Sequence, residues 1–334
     1  MPGFELIGKE EKQKINKIFD EGGGILFRHG FDNLRNNSYQ VKEFESNFSK
    51  YFNVKYALGV TSGTAALRVA LATLNLKQSD EVITQSFTFV ATVEAIIESG
   101  AKPVCTEINK TLNMDPDDLI KKINKNTKAV IVVHMLGVPC YIDKIKKICK
   151  KNNLVLIEDT AWGCGGKFKN KFLGTHGDMG TFSFDFAKTM TTGEGGMIIF
   201  KNKHLYNKAA AWHDHGHENN PKLPRWEDSR SSSGFNFRMN EIQGAIGIEQ
   251  LKKLKFIINK QRKNRDKILK ILRKYKNIEF REIPKYSFDT ADSFIFFTKN
   301  RNTAILCRES MLKNNISTKI LPEAYTWHFS TTWN

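Results

Sequence analysis

The sequence has no run of about 18 apolar residues, so no segment has the length of a membrane-spanning helix. It has no cysteine pair at CxxC spacing. Cys105, Cys140, Cys149, Cys164 and Cys307 are odd in number and scattered, a pattern that predicts free thiols in a reducing cytoplasm rather than a disulfide framework. The opening Met1-Pro2-Gly3-Phe4-Glu5 lacks a basic stretch followed by an apolar one, so no secretory signal is expected. Internal repeats and low-complexity linkers are absent as well. Acidic residues are few beside basic ones, 35 against 52, for a net charge of +17. That surplus raises the question of a nucleic-acid partner. The lysines are spread over 121–128, 144–151 and 252–274, however, and no basic helix carries a DNA-binding motif, so solvated helix faces are the plainer reading. No nucleic acid is expected, while the positive field still favours acidic substrates.

What is present is globular. Of 334 residues, 40% are hydrophobic and 26% charged, enough for one large or two medium domains. Short apolar runs at 82–84, 103–108, 129–134, 154–159, 181–184 and 196–200 read as strands. Amphipathic stretches at 64–74, 90–99, 116–123 and 142–152 read as helices between them, with Asp115-Pro116 a well-formed helix start. Alternation of this kind predicts an α/β fold with a mainly parallel sheet covered on both faces. A long Leu-, Ile- and Lys-rich helix is expected from Asn240 to about Tyr275, with β-like runs at 278–283 and 293–298 after it. The expected division is a large domain over 1–250 and a smaller α+β domain over 251–334.

Three stretches carry chemistry. Ser62-Gly63-Thr64 follows an apolar run at 56–60 and opens a helix, where free N–H groups and the helix dipole suit a phosphate. It reads equally as an ordinary N-cap. The run 154–159 ends in Asp159, placing a carboxylate at the carboxyl edge of the sheet, where open α/β sheets bind ligands. A carboxylate there can hold a proton on a pyridine nitrogen; a metal ligand, a ribose contact or a helix cap is the other reading. Lys188 follows a strand amid Phe182, Phe184, Phe186 and the glycines at 193, 195 and 196. Desolvation in such a setting makes an amine nucleophilic, whereas a lysine in a turn is ordinarily surface charge. Phosphate turn, strand-end acid and lysine are the three partners that pyridoxal phosphate requires.

Carried by Ser62–Thr64, Asp159, the stretch 181–196 and Gly234-Phe235-Asn236-Phe237-Arg238-Met239-Asn240-Glu241-Ile242-Gln243, the chain resembles the DegT/DnrJ/StrS family of sugar aminotransferases, fold-type-I pyridoxal-phosphate enzymes. The opening residues and Asp214-His215-Gly216-His217 are similar to a branch that forms 8-amino-3,8-dideoxy-manno-octulosonate. The resemblance implies that Lys188 carries the cofactor as a Schiff base and shuttles a proton. It implies Asp159 at the pyridine nitrogen, Ser62, Gly63, Thr64 and Ser183 at the phosphate, and Phe89 stacked on the ring. It places Asn236 on the phosphate of a neighbouring subunit, which makes a homodimer with a shared active site the expected assembly. A keto sugar and an amino acid, glutamate foremost, are the implied partners.

Two features depart from the family. Trp162 stands where His or Gln is usual, and indole offers one donor and no acceptor; it could line the pocket. The chain also ends at Asn334, earlier than family members do, which makes the small domain a candidate for truncation. A family variant with histidine in place of the lysine is a dehydratase, and Lys188 speaks against that outcome here. A dehydratase or regulator on the same fold, and a basic nucleic-acid binder, are the alternative classes. Arg28, His29 and Arg35, with His215 and Arg238, are candidates for meeting an acidic sugar or its hydroxyls. His213, His215 and His217 alternate as strand ligands of a metal would, but lack a clear companion ligand, and no metal is expected. The aromatic tail 325–333 could stack on a sugar ring or be core.

Overall fold

A computed structural model of the chain describes residues 2–220, 222–321, 323 and 326–333. Seven strands form the central sheet: β1 (Tyr56–Val60), β2 (Glu81–Gln85), β3 (Lys102–Thr106), β4 (Thr127–Val133), β5 (Val155–Asp159), β8 (Met179–Ser183) and β9 (Gly196–Phe200), with the short pair β6 (Lys167–Phe168) and β7 (Lys171–Phe172) set apart. Their order is β1-β9-β8-β5-β4-β2-β3. β9 is antiparallel to both its neighbours, and the pairs from β8 to β3 are parallel, so β9 runs against the other six. The mainly parallel sheet read from the sequence is therefore present.

Side chains alternate across each strand, and the alternation assigns the two layers. Leu58, Ile131, Ile157 and Ile198 pack under α3 (Gly63–Ala72), α4 (Ala91–Glu98) and α7 (Lys203–Trp212). On the other face Ala57, Met197 and Ile199 meet α2 (Gln40–Phe52) and α8 (Glu241–Leu272). Farther along that face Val130, Val132 and Leu156 meet α5 (Pro116–Lys122) and α6 (Ile142–Lys151). The N-terminal α1 (Lys9–Asp20) also lies along α8.

The long helix begins where the sequence places it. Asn240 Oδ1 accepts from Gln243 N at 3.0 Å, and Asn240 N donates back to Gln243 Oε1 at 3.0 Å, a reciprocal cap. The boundary expected at 250/251 falls within this 32-residue helix, which continues unbroken into the C-terminal region. There β10 (Glu279–Phe280) pairs with β12 (Phe296–Phe297), and α9 (Arg301–Lys313) follows. β11 (Ser287–Phe288) pairs instead with β6, tying this region to the segment between β5 and β8. No helix is long and apolar enough to cross a membrane among the described residues.

Candidate active site

A cavity of about 660 Å³ opens at the carboxyl ends of β1, β5 and β8. Ser62, Gly63, Thr64 and Ser183 line it, as do Asp159 and Lys188. So do Phe89 and Trp162. Residues spread over 127 positions of sequence thus meet at one place because parallel strands deliver their carboxyl ends to one edge.

At the end of β1, Ser62 caps α3, its Oγ accepting from Ala65 N at 3.0 Å. The N-cap reading thus holds, and it leaves the N–H groups of Gly63 and Thr64 at the helix start for an anion. A Cβ on Gly63 would lie 2.6 Å from Ser183 Cβ, so only glycine lets the end of β8 close against this turn.

Asp159 ends β5 with 5% of its surface exposed. Its carboxylate accepts from Thr92 Oγ1 at 3.1 Å and from Ala161 N at 3.1 Å. Burial pushes the carboxyl up, and these two donors and the Lys188 charge oppose it. Lys188 sits in a turn fixed by Lys188 N donating to Asp185 O at 3.0 Å and by Gly3 N donating to Lys188 O at 2.9 Å. Its Nζ lies 3.5 Å from the centre of the Trp162 ring. Burial lowers the pKa of this ammonium, against the pull of Asp292, Asp185 and Asp159. Trp162, the departure noted in the sequence, is therefore the surface against which the amine rests.

The remaining sequence candidates lie elsewhere. Asn236 is exposed and does not line the cavity of its own chain. Arg28 is a buried structural group, donating to Gly59 O at 3.0 Å and pairing with Glu45 at 2.6 Å. Arg35 pairs with Glu241 at 2.8 Å, both buried. These two arginines hold β1 and the ends of α2 and α8. His29 and Arg238 converge with Arg225 on buried Asp214, His29 Nε2 at 3.1 Å. Burial alone would raise that carboxyl, but His29, Arg225 and Arg238 hold it well below the usual carboxylate range. None of these groups lines the cavity.

The three alternating histidines do not share a strand face. His215 is exposed in a left-handed turn, His217 faces Asp228 at 3.3 Å, and His213 is buried with Nδ1 on Ala210 O at 2.6 Å. Burial pushes His213 down to about 3. No group of three metal-type side chains gathers among the described residues.

Sequence reasoning missed three contributors. Thr92 orients Asp159, and its only signal was its place two residues into a helix. Asp292, remote in sequence, acts electrostatically on Lys188. Buried Glu158 accepts from Gly174 N, His176 N and Gly177 N at 2.9, 2.6 and 2.7 Å and lies 3.0 Å from His134 Nε2. It sits beside Asp159 on the strand, so alternation already sent it to the opposite face. Thr326–His328, within the aromatic tail that the sequence offered as a sugar-stacking face or as core, line the cavity; Tyr325, part of the same tail, lies outside the described residues.

The sequence model of the DegT/DnrJ/EryC1/StrS aminotransferase family matches residues 31–329. A GDP-perosamine synthase of Escherichia coli O157:H7 is 36% identical over 78% of this chain and 68% of its own. The chain spans 57 to 70% of the length of the first five curated relatives it matches. Helicobacter pylori PseC, an aminotransferase involved in the biosynthesis of pseudaminic acid, has a TM-score of 0.83 at 26% identity, covering 97% of this chain and 90% of its own. An E. coli GDP-4-keto-6-deoxy-D-mannose-3-dehydratase with bound hydrated PLP has a TM-score of 0.83 at 27% identity, covering 97% and 87%. The fold is that of the fold-type-I pyridoxal-phosphate enzymes, and the chain belongs to the DegT/DnrJ/EryC1/StrS aminotransferase family.

Proposed function

We propose that this chain moves an amino group from an amino acid to the carbonyl of a keto sugar, with pyridoxal phosphate as cofactor. The observation that carries the reading is the buried Lys188 amine sharing one cavity with Asp159 and with the start of α3. The residues fit the cofactor. The N–H groups of Gly63 and Thr64, with Ser183, would hold the phosphate. Asp159, kept in place by Thr92 and Ala161, would hold a proton on the ring nitrogen. Phe89 and Trp162 would flank the ring, and Lys188 Nζ would hold the aldehyde carbon. Bound there, pyridoxal phosphate supplies an electron-poor ring that stabilises negative charge on the neighbouring carbon.

The chain's own part is to orient and to move protons. Burial lowers the Lys188 pKa, which leaves more of its amine free to take a proton and return it at the adjacent carbon. The cavity that receives it is lined mostly by apolar surface. The net exchange is balanced: amino acid and keto sugar become keto acid and amino sugar.

Relatives named for GDP- and UDP-linked sugars support a nucleotide-linked acceptor in surface-polysaccharide synthesis. The octulosonate branch and a glutamate donor rest on the sequence resemblance. Asn236, exposed and away from its own cavity, supports a homodimer in which it reaches the partner's phosphate. Five free thiols support a cytoplasmic setting. Incubating purified chain with pyridoxal phosphate, reducing with borohydride and measuring peptide masses tests the reading. The expected result is one cofactor mass on the Lys188 peptide. A chain that stays colourless and unmodified overturns it. Because relatives named as GDP-4-keto-6-deoxy-D-mannose 3-dehydratases also match, product mass decides the outcome. A nitrogen gained marks transfer, and an oxygen lost without nitrogen marks dehydration.

A further inference from the structure

We infer that Gly3 is a positioning residue for Lys188: the N-terminal segment Gly3–Leu6 locks the turn that carries the reactive amine, and so sets how fast that amine meets a carbonyl. The inference rests on the reading just given. Lys188 lies in neither helix nor strand, so its backbone direction depends on what fastens the turn. Lys188 N donates to Asp185 O at 3.0 Å, and Gly3 N donates to Lys188 O at 2.9 Å. Among the described residues no other donor reaches that carbonyl.

The fit is close enough to demand glycine. Gly3 is buried, and a Cβ there would lie 2.7 Å from Gln250 Oε1, 2.8 Å from Met190 Cα and 2.9 Å from Thr191 N. Two of these atoms are backbone, two and three residues beyond Lys188. On the other side of the lysine, Phe186 meets Phe4 with ring centres 5.6 Å apart, and Phe186 lines the cavity. The segment therefore grips the turn both before and after Lys188.

A buried polar chain holds the segment down. Gln250 of α8 accepts from Thr191 N at 3.4 Å through Oε1 and donates from Nε2 to Glu11 Oε1 of α1 at 2.9 Å. Lys253, one turn along α8, donates to Leu6 O at 2.8 Å and pairs with Glu11 at 2.7 Å. Gly8 N donates to Glu11 Oε2 at 2.8 Å. Both ends of Gly3–Leu6 are thus tied to α8, and one tie, at Gln250, is shared with the loop after Lys188. The consequence is felt at the amine. A long side chain turns a small backbone rotation into a larger displacement at its tip, and reacting atoms must come within about 3–3.5 Å in line. Held backbone leaves Nζ its place 3.5 Å from the centre of the Trp162 ring, inside the cavity.

The test uses the full chain. Pyridoxal phosphate is added to wild type, Gly3→Ala and Lys253→Met, and samples are quenched with borohydride over time. The mass fixed on the Lys188 peptide gives the rate at which the amine takes up the aldehyde, one water leaving. With Gly3→Ala this rate is expected to fall by about tenfold to a hundredfold, between the loss of one backbone hydrogen bond and a misplacement of about 1 Å. Lys253→Met frees the far end of the segment while leaving Glu11 its Gln250 and Gly8 donors, and is expected to slow capture less. Equilibrium dialysis with pyridoxine 5′-phosphate, which has the ring and phosphate but no aldehyde, is expected to give one affinity for all three proteins. A segment that only holds the cavity together would weaken this binding as well. Equal weakening of both readouts, or wild-type capture by Gly3→Ala, overturns the inference and leaves the proposed function standing. Should Gly3→Ala not fold, wild-type capture by Lys253→Met overturns it instead. A wild type that fixes no cofactor on Lys188 removes both.

Discussion

Lys188→Ala is expected to lower turnover by roughly 10²- to 10⁴-fold, the range lost with a positioned acid–base group. It is also expected to abolish borohydride-fixed cofactor mass while leaving the fold intact. Among the described residues the side chain ends against the Trp162 face and in no ion pair, with Asp292, Asp185 and Asp159 acting on it only at longer range, so its removal strands no carboxylate within bonding distance. Steady-state kinetics, with far-ultraviolet circular dichroism as the control for folding, checks this. A small amine added to the assay should recover part of the rate in the variant and not in wild type. Retention of full turnover by the alanine variant would remove Lys188 from the chemistry altogether.

Glu158→Ala is the largest stability effect the structure predicts. The carboxylate is fully buried and satisfies three backbone N–H groups of the 174–177 turn. His134 Nδ1 accepts from Cys140 N at 3.2 Å, so the ring proton is on Nε2 and is donated to Glu158. Truncation leaves these donors buried without an acceptor, at a cost of about 3–5 kcal/mol. Urea unfolding measures it, and Glu158→Gln, which keeps one acceptor oxygen, should lose less.

The pH dependence of that stability has a definite sign. Burial raises the Glu158 carboxyl, but His134 and the backbone donors outweigh burial and hold it below its ordinary value. A carboxyl that is more acidic folded than unfolded contributes fully above its unfolded value and loses the contribution as pH falls through the folded one. The stability gap between wild type and Glu158→Gln should therefore narrow on acidification. A gap that widens toward acid would contradict the assignment of an ionised carboxylate.

Much of the fold was legible because two periodicities, 3.6 and 2, alternate cleanly from residue 56 to residue 200. The strand ending at Asp159 and the helix opening at Gly63 were read to within a residue or two. The reversed direction of β9 was not legible, since an apolar strand reads alike in either sense. Helices α1, α2, α7 and α9 and the β6–β7 pair were also not identified. The triad of phosphate turn, acid and lysine was visible because each element sits at a strand end, where chain order and space agree. Arg28 shows what the sequence could not convey. Its charge suggested a ligand, whereas Gly59 O and Glu45 absorb it. Glu158 and His134 escaped because their roles depend on partners that only the folded sheet supplies.

The indole beneath Lys188 has an energetic corollary. An ammonium over a desolvated aromatic face gains about 2 kcal/mol, whereas breaking a buried ion pair costs about 3–5 kcal/mol. The lysine thus waits in a shallow well. Shedding its charge and swinging toward an incoming carbonyl forfeits that contact and the longer-range pull of Asp292, Asp185 and Asp159 but breaks no close ion pair, and the ring that remains behind stays an apolar neighbour for whatever the amine has seized.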